Sequence, residues 1–352
     1  MTRLTAQRGM TLIELMIAMT LGFILLAGTV TILESNKATF RSNQAIARMQ
    51  ENARFILDIL SREIRQTGYM GCASSPALIH NVLNTAAAAY VSEGWAFNYN
   101  NALYGYDNGT PAAFPAAFAA SVLAGNDALV LLGMDAQNIF HVAAHSPGTN
   151  QFTLTTSHNL LANEVAVVSD CQSGAIFQIT GVATPSLSYG GAGSIGNLST
   201  CLSPTCPLVK TFGTDALLAR LRATAFYIAT GATGEPALWW RRLTGGTVVA
   251  EELLSGVENM QILYGYDADN DLVPNQYLTA ADVTTKGVWG NIVSLRIGFL
   301  MRSEDGIRAQ VDTNTYAVVG TNVGLVGTPS HPQDRRLRQV FSTTIQLRNR
   351  GT

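Results

Sequence analysis

Residues 8–33 read RGMTLIELMIAMTLGFILLAGTVTIL, and they set the architecture of everything that follows. From Leu15 to Leu33 no charge interrupts the run, which is 19 residues long. As helix at 1.5 Å per residue it covers about 28 Å, close to the roughly 30 Å hydrocarbon core of a bilayer. Glu14 stands just inside this apolar segment. A carboxylate there costs about 2.5 to 3.5 kcal/mol on insertion scales, so it calls for a partner and reads as functional. A secretory signal also has a basic start (here Arg3 and Arg8), an apolar run and small residues such as Ala27-Gly28, but it has no use for the acid. Beyond the run the helical spacing continues through Ile46, Met49, Ala53, Ile56, Leu60 and Ile64, with Arg48, Glu51, Asp58, Arg62 and Arg65 on other faces. Gly68 supplies a stop. One helix from Met10 to Gln66 is expected, about 85 Å long, far more than a globular core needs.

Composition bounds the remainder. The 352 residues are 47% hydrophobic and only 13% charged, against roughly 25% charged in typical soluble chains. Of the 22 basic side chains only Lys37, Lys210 and Lys286 are lysines. A formal charge of −2 provides no bulk basic field, so nucleic acid is not an expected partner. Four cysteines are too few for a disulfide miniprotein and suit two staples in an oxidised compartment.

Gly9 followed by MTLIELMIAM resembles the class III signal of type IV pilins and pseudopilins, with Met10 where that family usually has Phe. The resemblance implies that a prepilin peptidase cuts between Gly9 and Met10, that Met10 becomes N-methylated, and that Glu14 pairs with the N-terminal amine of a neighbouring subunit. Such pairing is physically reasonable, because a buried carboxylate is tolerated only with an opposite charge and donors around it. Lys37, Arg41 and Arg48 follow the span, so basic residues flank it on both sides and orientation rests on the motif.

From Cys72 onward the pattern changes to short strands. They are expected at Ala128–Leu132, Gln151–Thr155, Glu164–Val168, Ala175–Ile179, Ala223–Ala229, Asn259–Tyr266, Ile292–Met301 and Val340–Leu347. The fold class is therefore α+β: a long pilin-like helix packed on a mainly antiparallel headgroup. Asn84 to Ala124 and Gly181 to Gly213 read as insertions or long loops. Gly68-Tyr69 ahead of Cys72, VAVVSDC ending at Cys171 with FQIT after it, IVSLRIGFLMRS around Arg296, and the closing TTIQLRNR are similar to the PilW-type minor pilins. The resemblance implies residues 1–9 as leader, 10–34 as transmembrane and filament-core helix, 35–68 as its amphipathic half, and 69–352 as a periplasmic headgroup. It also implies the inner membrane, then the pilus, as location. Implied partners are the prepilin peptidase, other minor pilins, the major pilin, the inner-membrane assembly platform and a tip adhesin. The alternative is a J-type pseudopilin of a type II secretion system, a family whose members are usually much shorter.

Four cysteines allow three pairings. Cys201 and Cys206 enclose only LSPT and suit a local bridge, which leaves Cys72 for Cys171; metal ligation lacks both a C-x₂-C pair and a nearby His. Gly191, Gly193 and Gly196 spell a dinucleotide fingerprint inside a Ser/Gly loop without its strand and helix, so a flexible loop is expected. His141 and His145 lack the Glu of a zinc helix, and Pro147 follows them. The arginines Arg335, Arg336, Arg338, Arg348 and Arg350 read as a solvated sheet edge. Asp267, Asp269 and Asp271 alternate as calcium ligands do, but Leu272 stands where the EF-hand needs glycine and Leu278 where it needs a glutamate. A solvated acidic turn, with no cofactor, is the expectation, and no enzymatic site is visible.

Overall fold

The computed structural model describes residues 10–73, 78–97, 99–107, 114–190, 193–198, 210–327 and 329–349. A single 55-residue helix, α1 (Leu12–Gln66), opens it. Thr11 caps the start, its hydroxyl accepting the Glu14 amide at 3.3 Å, and Gly68 at φ +79° turns the chain away just past the end. No residue from Met10 to Leu33 is buried, whereas Met49, Ala53, Ile56, Leu60 and Ile64 all are. The expected apolar stripe is the face that packs.

The chain then passes through β1 (Ile79–Asn81), α2 (Ala88–Glu93), β2 (Leu103–Tyr106), α3 (Ala116–Ala119), β3 (Ala128–Met134), β4 (Phe140–Ser146) and β5 (Gln151–Leu154). Next come β6 (Val165–Ser169), β7 (Gly174–Gln178), β8 (Gly181–Ala183), β9 (Ser186–Ser188) and the 14-residue β10 (Leu217–Thr230). β11 (Pro236–Thr244), β12 (Thr247–Ser255), β13 (Val257–Tyr266), β14 (Gln276–Leu278) and α4 (Ala280–Lys286) follow. β15 (Ile292–Gly306), β16 (Tyr316–Val318), β17 (Thr321–Val323) and β18 (Arg336–Gln346) complete the headgroup.

β10 is the backbone of the larger sheet. Its first residues pair with β6 and β4, its later ones with β3 and β11, all antiparallel; β1 against β7 is a parallel pair. A second sheet runs in the order β14-β13-β15-β18. The buried stripe of α1 lies between that sheet and one face of the larger one, touching a core that includes Leu129, Leu131, Phe226, Leu295, Ile297 and Ile345. The opposite face of β3 and β10 is covered by Trp95, Phe97 and Phe118. β3 is thus buried on both faces, which is why ALVLLGM reads as a continuous apolar run.

Several expectations need correcting. The β11–β12 hairpin was not anticipated; it turns on Gly245-Gly246 at φ +58° and +79°, a two-residue geometry that demands left-handed backbone. The stretch from Asn84 to Ala124 carries α2, β2 and α3, and Gly181 to Gly213 begins with the β8–β9 hairpin. Nor are the late arginines a uniformly solvated edge. The Arg338 side chain is completely buried between Glu258, Asp312 and Asp334, with Nε 2.6 Å from Glu258 Oε2.

Candidate assembly site

Gly9 lies outside the described residues. Met10 and Glu14 are exposed at the free end of α1, and Glu14 is the third residue of the helix, where its charge is favoured by the N-terminal dipole. Among the described residues no ion pair reaches it. The surrounding segment is long and apolar enough to cross a membrane, with a mean hydropathy of 2.2 and none of it buried. An acid set in an apolar surface is costly unless an opposite charge or hydrogen-bond donors reach it.

At the other end of α1, Cys72 is joined to Cys171, with Cα atoms 4.6 Å apart. The bridge fastens the helix exit to the β6–β7 turn, and Ser169 Oγ adds a hydrogen bond to the Met70 carbonyl at 2.5 Å. Cys201 and Cys206 lie outside the described residues.

The acidic turn is built around Asp267. Its Oδ1 accepts the amides of Asp269 (3.2 Å) and Asn270 (2.7 Å), and its Oδ2 accepts the Leu272 amide at 2.9 Å. Burial opposes the Asp267 charge, but the Leu272 and Asn270 amides outweigh it and hold the carboxyl below its usual value. Asp267 is buried, not solvated; Asp269 and Asp271 are exposed. Carboxylate oxygens of the three lie within 4.8 Å of one another. Leu272 adopts φ +67°, so it takes the left-handed conformation for which the EF-hand uses glycine. Leu278 is buried in β14 and offers no oxygen.

The other motifs resolve into structure. His145 is buried in β4, stacked on Phe152 with ring centroids 4.1 Å apart. Its Nδ1 accepts the Phe212 amide at 3.1 Å, which leaves Nε2 as the protonated nitrogen facing Tyr189 Oη at 2.8 Å. Burial lowers its pKa to about 4. His141 is exposed on the same strand, so the two form no helical pair. The glycine loop is held at Ile195 and Gly196, whose amides donate to Gln178 Oε1 at 3.0 and 2.7 Å; the described part is therefore an ordered turn.

The largest feature that sequence reasoning missed is the ion cluster at the end of β15 and the start of β18. Arg302 and Arg338 share Glu258; Arg302 and Arg336 share Glu235; Arg338 also meets Asp334 and Asp312, which Arg308 reaches from the far side. Burial and the neighbouring Arg336 and Arg338 lower Arg302 to about 10. Burial likewise opposes the charge of Arg338, yet its contacts with Glu258 and Asp334 raise it. The cluster pins the long β15–β18 connection to the sheet. Only the alternation of Arg336 and Arg338 with apolar residues hinted at it, because Glu235, Glu258 and Asp312 come from distant segments and only Asp334 is a near neighbour.

Comparison with known proteins gives two family matches. Residues 4–30 match the model of the prokaryotic N-terminal methylation motif, and residues 225–349 match that of the type IV pilus-assembly protein W. The second match spans β11 to β18, the ion cluster and the sheet on which α1 rests. No curated protein matches the sequence at a significant level. Among solved structures, a type IV-like pilin from Thermus thermophilus is 15% identical over 55% of this chain and 87% of its own, with a TM-score of 0.24. The assignment does not rest on that superposition. A methylation motif at the head of a membrane-length helix and a pilus-assembly W region in the sheet packed on it together support a type IV pilus minor pilin of the PilW type.

Proposed function

We propose that this minor pilin acts without enzymatic activity or cofactor. A prepilin peptidase cleaves it after Gly9. From the inner membrane, with its headgroup in the periplasm, it joins other minor pilins at the assembly platform, helps to start a type IV pilus, and stays at or near the tip. There it meets the major pilin on one side and a tip adhesin on the other, and serves twitching motility and adhesion. The observation that carries this reading is the divided helix: from Met10 to Leu33 it is uncovered, and from Met49 to Ile64 it is built into the headgroup. Such a helix can pass from lipid into a filament core without disturbing the folded domain it carries. The test is deletion of the gene, followed by restoration with an epitope-labelled copy. Few surface pili in the deletion strain and label confined to filament ends are the expected outcome. Label along the whole shaft would refute the tip position, and normal pili with impaired protein secretion would point to a secretion pseudopilin.

A further inference from the structure

We propose that the outer edge of β18, from Gln339 to Gln346, is the docking site for an extended strand from the headgroup of a different pilin. This rests on the pilin reading given above. Among the described residues β18 pairs only with β15, and no strand lies along its outer side. Natural proteins guard such edges by making them short or by placing charges, prolines or bulges on them. The other edge strands of this headgroup follow the rule: β1, β8 and β14 have three residues each, β2 has four, and the nine-residue β12 carries Glu251 and Glu252. β18 breaks it. QVFSTTIQ has no charge, proline or glycine over eight residues, is rich in strand-favouring types, and exposes Ser342 and Thr344. Among the described residues no hydrogen bond other than the β15 pairing reaches these eight positions.

Geometry narrows the occupant. Arg48 Nη1 meets Glu304 at 3.3 Å, close to the start of β18, while Asn349 just past its end donates to the Arg65 and Thr67 carbonyls at 3.3 and 3.2 Å. β18 therefore runs in the same direction as α1, away from the membrane, and lies against that helix. Two copies anchored in one bilayer have parallel β18 strands. Joining their like edges turns the second sheet over and puts its helix on the opposite side of the combined sheet, where the two helices cannot pack together. The far edge of the same sheet, β14, offers only three residues for a head-to-tail copy. A non-equivalent strand from a different pilin keeps both helices on one side. Backbone pairing would supply the affinity and the alternate side chains the selectivity, as in strand addition generally.

The experiment places the photocrosslinker benzoylphenylalanine at Thr344, or at Val249 on β12 as a control, in the full-length chain in cells that carry the remaining pilus proteins. The expected result is a crosslink from position 344 to a headgroup peptide of a different pilin, absent or much weaker from position 249. Ser342→Lys, an exposed change, should cut that product about tenfold, the equivalent of losing one or two net hydrogen bonds, with an unaltered melting temperature. A crosslink to a second copy or to a protein that is not a pilin overturns the proposal. So does equal labelling from position 249, or no product in cells whose piliation depends on the chain. Normal piliation after gene deletion would instead sink the pilin reading beneath it.

Discussion

Two residues carry opposite kinds of electrostatic cost. Among the described residues Glu14 meets no cation, and the proposed role gives it a partner on another subunit. Glu14→Ala eases insertion by the few kcal/mol an intramembrane acid costs but removes the group that a neighbour's amine would meet. The variant is expected to accumulate in the inner membrane with few pili, measured by fractionation and electron microscopy; normal piliation would deny Glu14 a docking role. His145 is the reverse case, a group buried neutral. Its pKa falls to about 4 from an ordinary 6.5, so the unfolded chain takes up a proton as pH drops below about 6.5 and the folded chain does not. Stability is thus full above that value and is lost as pH falls towards 4, by at most about 3 kcal/mol. Asp312 and Asp334, held low against burial by Tyr316 and Arg338, extend the loss below about pH 4. Melting curves of a soluble fragment, residues 35–352, should show this slope, and His145→Phe should flatten it between pH 6.5 and 4 even though it lowers stability overall.

Among elements, α1 matters most, because its second half belongs to the headgroup core. A fragment beginning at residue 67 would lack Met49, Ala53, Ile56, Leu60 and Ile64, whereas one beginning at 35 keeps them. The bridge at the helix exit closes 99 residues of chain, for which chain entropy gives about 4 to 5 kcal/mol. Cys72→Ser in the 35–352 fragment should therefore lower the melting temperature steeply, and a shift of only a degree or two would show that the bridge restrains little. The acidic turn between β13 and β14 is satisfied by its own amides and has no oxygen at Leu278. Millimolar calcium is expected to leave the melting temperature unchanged. A rise of several degrees that disappears in Asp269→Ala would establish a calcium site instead.

For the whole molecule, cleavage after Gly9 removes Arg3 and Arg8 and takes the formal side-chain charge from −2 to −4. Mass spectrometry of the protein from piliated cells should find N-methyl-Met10 as its first residue; an intact leader beside an active prepilin peptidase would contradict the processing site. What the sequence determined alone is local or periodic. A charge-free run of 19 residues is long enough to cross a bilayer, a spacing of three and four marks the buried face of a helix, and one acid inside the apolar run is the expected docking position. Eight of the described strands, β3, β5, β6, β7, β10, β13, β15 and β18, were legible for the same reason, since alternation and apolar runs depend on near neighbours. Tertiary structure decided whatever depends on partners far along the chain. It buried Arg338 against Glu258 and Asp312, which lie 80 and 26 residues away. It drew the Asp267 carboxylate inward and let Leu272 take a left-handed turn, set β11 and β12 as a hairpin on β10, and left β18 as an open edge. Charge and alternation look the same in sequence whether an arginine meets water or three carboxylates. Only the fold fixes which of these surrounds it.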